Sequence, residues 1–505
     1  VTALERAIAS PPPVPGLGRR SPVEGLDRRS VGFVDVLAQS VSAMAPSAAA
    51  TLLPALVAGV VGSPGGTLLA LGTALLLSLL VAGSVNEFAR RIAAAGSLYT
   101  YVARSLGAGA GMATGTALLL GYGFISMFAL TGAGHTAALL LGRATPASAA
   151  APASPLLPAA VIAVLAAVVF LVVAGGVRLS TRVTLVVESV SVVIILALVV
   201  ALLVTVGPVD VGVLSLEGTS PAAFAVGAVL AVTAFVGFET PTSLGVEARR
   251  PYSAIPRAVR WTVLGAGGFY LLACYSQLVG FRALGLDITS SDSPVDDLAS
   301  ANGVEGVGLM LDVGIAASCL ACAIASMMAL ARVLFSMGRE GVLPAAFGRT
   351  HPRFRTPLVA VAASVPVVAA VPIVTALAGV ALWDAMRVLL VASAAGYITA
   401  YLLACVAVPV LLRRIGELTA AVGLRAVSAA VLLGGALVAY LALEVTSERW
   451  AGVLVFAVGM AAGGISYAIA LSRRPWLRAT IGVYDEPVAA DVLGAGSAPA
   501  APGGE

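Results

Sequence analysis

The chain of 505 residues contains no lysine. A Gly-x-x-x-x-Gly-Lys phosphate loop therefore cannot exist in it, which excludes an ATP-driven pump built on that motif. Histidine is almost as scarce: His135 stands alone in an apolar run and His351 lies in a connecting loop. No His-His or His-Asp-Asp set is available for an intramembrane metal or hydrolytic centre. The four cysteines, Cys274, Cys319, Cys322 and Cys405, all fall inside apolar runs. Cys319-Leu-Ala-Cys322 has the spacing of a metal or redox pair, but on a lipid-embedded helix without nearby histidine both read as small packing residues. Charge is sparse too. Only 11% of residues are charged, against about 25% in soluble proteins. With 59% hydrophobic residues and a mean hydropathy of +1.02, the composition describes an all-α integral membrane protein. No long polar stretch could form a water-soluble catalytic module, so the chain is not read as an enzyme, and no cofactor or metal is expected. The first thirty or so residues are rich in proline and arginine and lack the apolar run of a secretory leader.

The apolar runs are about 20 residues or longer, which suits membrane helices rather than alternating barrel strands. About twelve are expected, at 32–62, 66–89, 109–141, 156–175, 183–206, 221–246, 258–281, 307–337, 356–380, 383–412, 424–445 and 448–472. The net charge of +4 does not point to nucleic acid, because the basic residues sit in short loops between these runs. With a cytoplasmic N-terminus, all 29 basic residues fall on the inner side except Arg143, Arg282, Arg387 and Arg449. Such a bias is the mark of positive-inside topology and implies a multi-pass plasma-membrane protein with both termini cytoplasmic. The outer loop carrying Asp287, Asp292, Asp296, Asp297 and Glu305 reads as a solvated, translocated loop. The Ala-, Gly- and Pro-rich end, 473–505, reads as a disordered cytoplasmic tail.

Two of the runs are interrupted near their centres. The first reads Ser42-Ala-Met-Ala-Pro-Ser-Ala-Ala49, and the second Phe235-Val-Gly-Phe-Glu239. Transporters built from inverted repeats place their binding sites at interrupted helices in corresponding positions of the two halves. A break frees backbone N–H and C=O groups that cannot face lipid and must line a protein cavity. Free N–H groups at a half-helix N-terminus suit a carboxylate, and free C=O groups suit an amine or Na⁺. A channel filter of repeated carbonyls or charge rings is not seen.

Several phrases resemble the amino acid–polyamine–organocation superfamily. Val85-Asn-Glu-Phe-Ala-Arg-Arg-Ile-Ala-Ala-Ala-Gly-Ser-Leu-Tyr-Thr-Tyr-Val-Ala-Arg-Ser-Leu-Gly107 is similar to its Glu-Leu-Ala…Pro-x-Gly-Gly-x-Tyr-x-Tyr…Leu-Gly pattern, with Ala95 and Ser97 as departures. Gly176-Val-Arg-Leu-Ser-Thr-Arg-Val183, Gly245-Val-Glu-Ala-Arg-Arg-Pro251, and Ala331-Arg-Val-Leu-Phe-Ser-Met-Gly-Arg-Glu-Gly-Val-Leu-Pro344 carry it further. The resemblance covers roughly residues 30 to 412 and implies an amino-acid permease of the LeuT-type fold. It implies an N-terminal segment 1–30, a first repeat 31–206 (segments 1–5), an inverted second repeat 221–412 (segments 6–10) and accessory helices in 424–472.

The resemblance also orders the candidate site. Substrate contacts are expected from Ser42, Ala43, Met44, Ala45, Pro46, Ser47, Ala48 and Ala49 at the first break, from Phe235, Val236, Gly237 and Phe238 at the second, and from Tyr122. Relatives carry Gly-Ser-Gly where this chain has Ser47-Ala48-Ala49. Glu239, in the place where many relatives have an acid, is expected to exchange a proton or hold a cationic group, with Glu188 and Ser318 as further proton or ion-coupling candidates. An ionised side chain at mid-membrane costs about 2.5–3.5 kcal/mol on insertion scales and usually faces a cavity. Relatives that replace sodium with a lysine in segment 5 would have it at Ser191, so that device is missing. H⁺ coupling, Na⁺ coupling and exchange all stay open. Relatives that pair with a glycoprotein use a cysteine in the loop after segment 3; residues 142–155 have none, so no disulfide-linked subunit is expected. The reading is a secondary transporter importing an amino acid by alternating access in the lipid bilayer. A polyamine or other organic-cation transporter or exchanger is the alternative, and a transporter-like sensor a more distant one.

Overall fold

The structure is a computed structural model and describes residues 25–144, 155–206, 211–291, 294–301 and 305–483. The expectations for most of the N-terminal segment, for the loop at 145–154 and for the tail from 484 lie outside the described residues.

Within them, twelve helical segments are long and apolar enough to cross a membrane. The first span is two helices, α1 (Phe33–Met44) and α2 (Pro46–Val61). Then come α3 (Pro64–Ala89), a short α4 (Leu98–Leu106), α5 (Ala108–Ala144), α6 (Leu156–Ala174) and α7 (Val177–Val206). The sixth span opens with α8 (Pro221–Val232) and continues irregularly to Leu244. The second half adds α9 (Pro251–Ala283), a short α10 (Pro294–Ala301), α11 (Glu305–Arg339), α12 (Leu358–Leu377), α13 (Leu382–Arg414), α14 (Ala420–Thr446) and α15 (Ala451–Arg473).

Local chemistry sets many of these ends. Pro46, Pro64, Pro221 and Pro251 open their helices, where proline's fixed φ helps and its missing N–H costs nothing. Ser63, Ser220 and Thr419 cap their helices by accepting from Gly66, Ala223 and Val422 N–H, which satisfies otherwise orphaned donors. Two spans begin earlier than their apolar runs suggested, at Val177 rather than 183 and at Pro251 rather than 258. The helix outlasts the greasy stretch there, and Arg178, Arg182, Arg257 and Arg260 ride on its polar first turns.

Helix α5 is packed against α11 and α13, and this trio forms the interior wall of the molecule. By contrast, α15 buries only Gly452 and Phe456 and lies at the periphery. The expectation of a disordered tail from 473 needs correction. Residues 477–480 form a short helix, α16, whose Leu477 and Thr480 are fully buried. Thr480 Oγ1 donates to Glu340 O at 2.9 Å, Gly482 N–H donates to Glu340 Oε1 at 2.9 Å, and Arg104 Nε donates to Gly482 O at 2.7 Å. Apolar and hydrogen-bonded docking thus overrides a composition that suggested disorder.

Candidate functional site

The first break falls between α1 and α2. Pro46 has no N–H, so the α1 ladder cannot run through it. Ala45 takes the left-handed conformation (φ 46°, ψ 58°), and its N–H turns back to Ser42 O at 3.2 Å. The second break follows α8. A single 3₁₀ turn, Thr233–Phe235, leads into extended Val236 (φ −64°, ψ 144°) and then Gly237 at φ +99°. Beyond it the chain winds as 3₁₀ turns over Thr240–Leu244.

The breaks face each other. A Cβ added to Gly237 would lie 2.8 Å from Ala43 O, so the last turn of α1, just before the first break, meets the unwound second break at this point. Side chains join them: Ser40 Oγ donates to Phe238 O at 2.8 Å and Thr240 Oγ1 to Gln39 O at 3.1 Å. Neighbouring helices supply the rest. Cys322 Sγ on α11 donates to Ala43 O at 3.3 Å, Tyr270 on α9 donates to Ala234 O at 3.2 Å, and Gln277 Nε2 donates to Ala50 O at 2.8 Å. Backbone groups freed in the membrane interior must find such partners.

Two buried carboxylates flank the breaks. Glu239 is fully buried. Its Oε1 accepts from Tyr122 OH on α5 at 2.8 Å, and its Oε2 accepts from Tyr401 OH on α13. The Tyr401 oxygen also accepts the Gly237 N–H at 3.0 Å, so one hydroxyl couples the broken backbone to the carboxylate. Phe238 stacks on Tyr401 (5.0 Å between centroids), and Phe235 stands edge-on to Tyr270 at 5.3 Å. Glu188 on α7 lies at the start of α2. Its Oε1 accepts from Ser47 N–H at 3.4 Å, Ser47 Oγ at 3.3 Å and Ser318 Oγ at 3.0 Å.

Most of the candidate residues from the sequence come together here. Ser42, Ala43, Met44, Pro46, Ser47 and Ala48 are buried at the first break, with Ala45 and Ala49 partly so. Tyr122, Phe235, Val236, Gly237, Phe238 and Glu239 form one cluster, and Glu188, Ser47 and Ser318 another. Ser191, by contrast, bonds only within its own helix, donating to Val187 O at 3.0 Å. Cys322 does more than pack, since its thiol reaches the first break. Tyr401 and Gln39, whose Nε2 donates to Ala325 O at 2.8 Å, were not anticipated.

Toward the N-terminal end, the chain before α1 pairs with the stretch after the second break. Val31 N–H donates to Glu247 O at 3.0 Å and Arg249 N–H to Val31 O at 2.9 Å. Beside them Arg332 and Glu247, each 2% exposed, form a two-pronged ion pair at 2.6 and 3.0 Å.

This helical architecture, with facing breaks in its first and sixth spans, defines a multi-span membrane protein of the LeuT-type fold. Residues 36–464 match the amino acid permease family, and the chain belongs to it. It is 26% identical over 37% of its length to the chloroplastic cationic amino acid transporter 9 of Arabidopsis thaliana, 25% over 60% to the branched-chain amino acid permease BcaP of Bacillus subtilis, and 27% over 56% to the low-affinity putrescine importer PlaP of Escherichia coli K12. The matches span 32%, 66% and 62% of those proteins, respectively. The crystal structure of MhsT in complex with L-phenylalanine shares the fold, with a TM-score of 0.57 at 17% identity, over 82% of this chain and 99% of that one.

Proposed function

We propose that this permease is a secondary transporter that imports an amino acid across the plasma membrane by alternating access, holding the solute between the two breaks. The observation that carries the reading is the meeting of the last turn of α1, at Ala43 beside the first break, with the unwound backbone at Gly237. Glu239, buried beside the second break, supports an amine- or proton-accepting role. Residues 31–206 and 221–412 act as the inverted repeats, both termini are cytoplasmic, and H⁺ or Na⁺ drives uptake. A second reading, a polyamine or other organic cation as cargo or exchange partner, is favoured by the pair of buried carboxylates, Glu188 and Glu239, in a chain without lysine.

Reconstitution in liposomes with a panel of labelled amino acids and amines, with and without sodium and pH gradients, tests this. Gradient-driven accumulation of at least one solute is expected, and absence of both uptake and counterflow for the whole panel would sink the transport reading. Glu239→Gln is expected to abolish gradient-driven uptake while retaining part of the exchange. Full concentrative uptake by that variant would refute the proton role.

A further inference from the structure

Glu188 stands at the N-terminal end of α2, in the broken first span. The first turn of α2 is the anion-accepting end of that half-helix, because its N–H groups have no helical partner. Pro46 has no N–H, and Ala49 N–H returns to Ala45 O at 3.0 Å. The Ser47 N–H is directed at Glu188 Oε1, where the hydroxyls of Ser47 and Ser318 also converge. Three donors on one oxygen is the pattern of an accepting carboxylate. The other oxygen, Oε2, has no hydrogen-bond partner among the described residues, although Glu188 is only 2% exposed. A buried, half-satisfied carboxylate is costly unless a proton or a cation offsets it. Among the described residues none supplies a cation: the chain has no lysine, and Arg332, the one buried arginine among them, is committed to Glu247.

We infer that Glu188 is a specificity-determining residue: by filling the anion end of α2 with an internal carboxylate, it admits amines that lack a carboxyl group and turns away the matching amino acids. The inference rests on the second reading above, in which the cargo is an organic cation rather than an amino acid. An incoming ammonium would donate to Oε2. An incoming carboxylate would meet a like charge and find the Ser47 N–H already taken.

The test uses solute pairs that differ only in the carboxylate: cadaverine against lysine, and putrescine against ornithine. Each competes with labelled putrescine for counterflow into liposomes containing the full chain. The wild type is expected to prefer the amine by at least about tenfold, since like-charge juxtaposition costs several kcal/mol. Glu188→Ala is expected to shrink that preference by about tenfold or more, because it removes the like charge and frees the Ser47 N–H. Ser318→Ala, which keeps the carboxylate but removes one donor, should give an intermediate ratio. A wild-type ratio at or below one would overturn the inference, as would an unchanged ratio in folded Glu188→Ala. Should that variant not fold, the wild-type and Ser318→Ala ratios decide. Should none of these four solutes be moved, thermal shifts of the purified protein with the same pairs decide the binding preference, and the wider panel above decides the transport reading separately.

Discussion

Tyr401 has two tasks at the second break, and Tyr122 has one. The Tyr401 oxygen accepts the Gly237 N–H while its proton goes to Glu239, whereas Tyr122 donates to Glu239 alone. A hydrogen bond to a charged group contributes about 1.5–3 kcal/mol, and a buried donor left unpaired costs about 1–3 kcal/mol. Tyr401→Phe is therefore expected to lower both stability and transport more than Tyr122→Phe does, with a gap of about 1–3 kcal/mol in unfolding measured in detergent. Equal losses would show that the link to Gly237 carries no weight. Glu239 and Tyr122 could be picked out from the sequence, because an acid beside a break and an aromatic among small residues both stand out. Tyr401 could not. It lies 162 positions from Glu239, and a tyrosine on an apolar helix reads as packing until tertiary structure brings a carboxylate to it.

The elements that matter most are those that stop being helices. Pro46 and Gly237 marked the two interruptions in the sequence because one lacks a donor and the other tolerates conformations closed to other residues. Gly237→Ala meets two obstacles, a φ of +99° and a Cβ 2.8 Å from Ala43 O. Strain of this kind costs about 1–3 kcal/mol before the clash is counted. The variant should lose transport and unfold at a lower temperature; normal transport by it would mean the breaks part readily. Ala45 was less legible. Alanine rarely adopts the left-handed region, and only the constraint of Pro46 on one side and α1 on the other places it there. The 3₁₀ winding after Glu239 was equally hidden, since its residues carry no periodicity of their own.

At the scale of the whole chain, the twelve spans were legible because lipid demands long apolar helices with every backbone group satisfied. The docked end, residues 475–483, was not. Its attachment depends on Glu340 and Arg104, which are distant in sequence, and on Trp476 covering Gly341. Deleting the chain from Pro475 onward exposes that surface and strips the Gly482 N–H from Glu340. A loss of about 2–4 kcal/mol is expected from the removed apolar cover and hydrogen bonds, seen as faster inactivation at fixed temperature. An unchanged half-life would mean the docked end is dispensable. Were the molecule to open at this end, as the proposed alternating access requires, the Arg332–Glu247 ion pair and the backbone pairing of Val31 with 247–249 would have to part. Once drawn apart, a guanidinium and a carboxylate at this depth need hydration, so any route that opens here has to flood before cargo can leave by it.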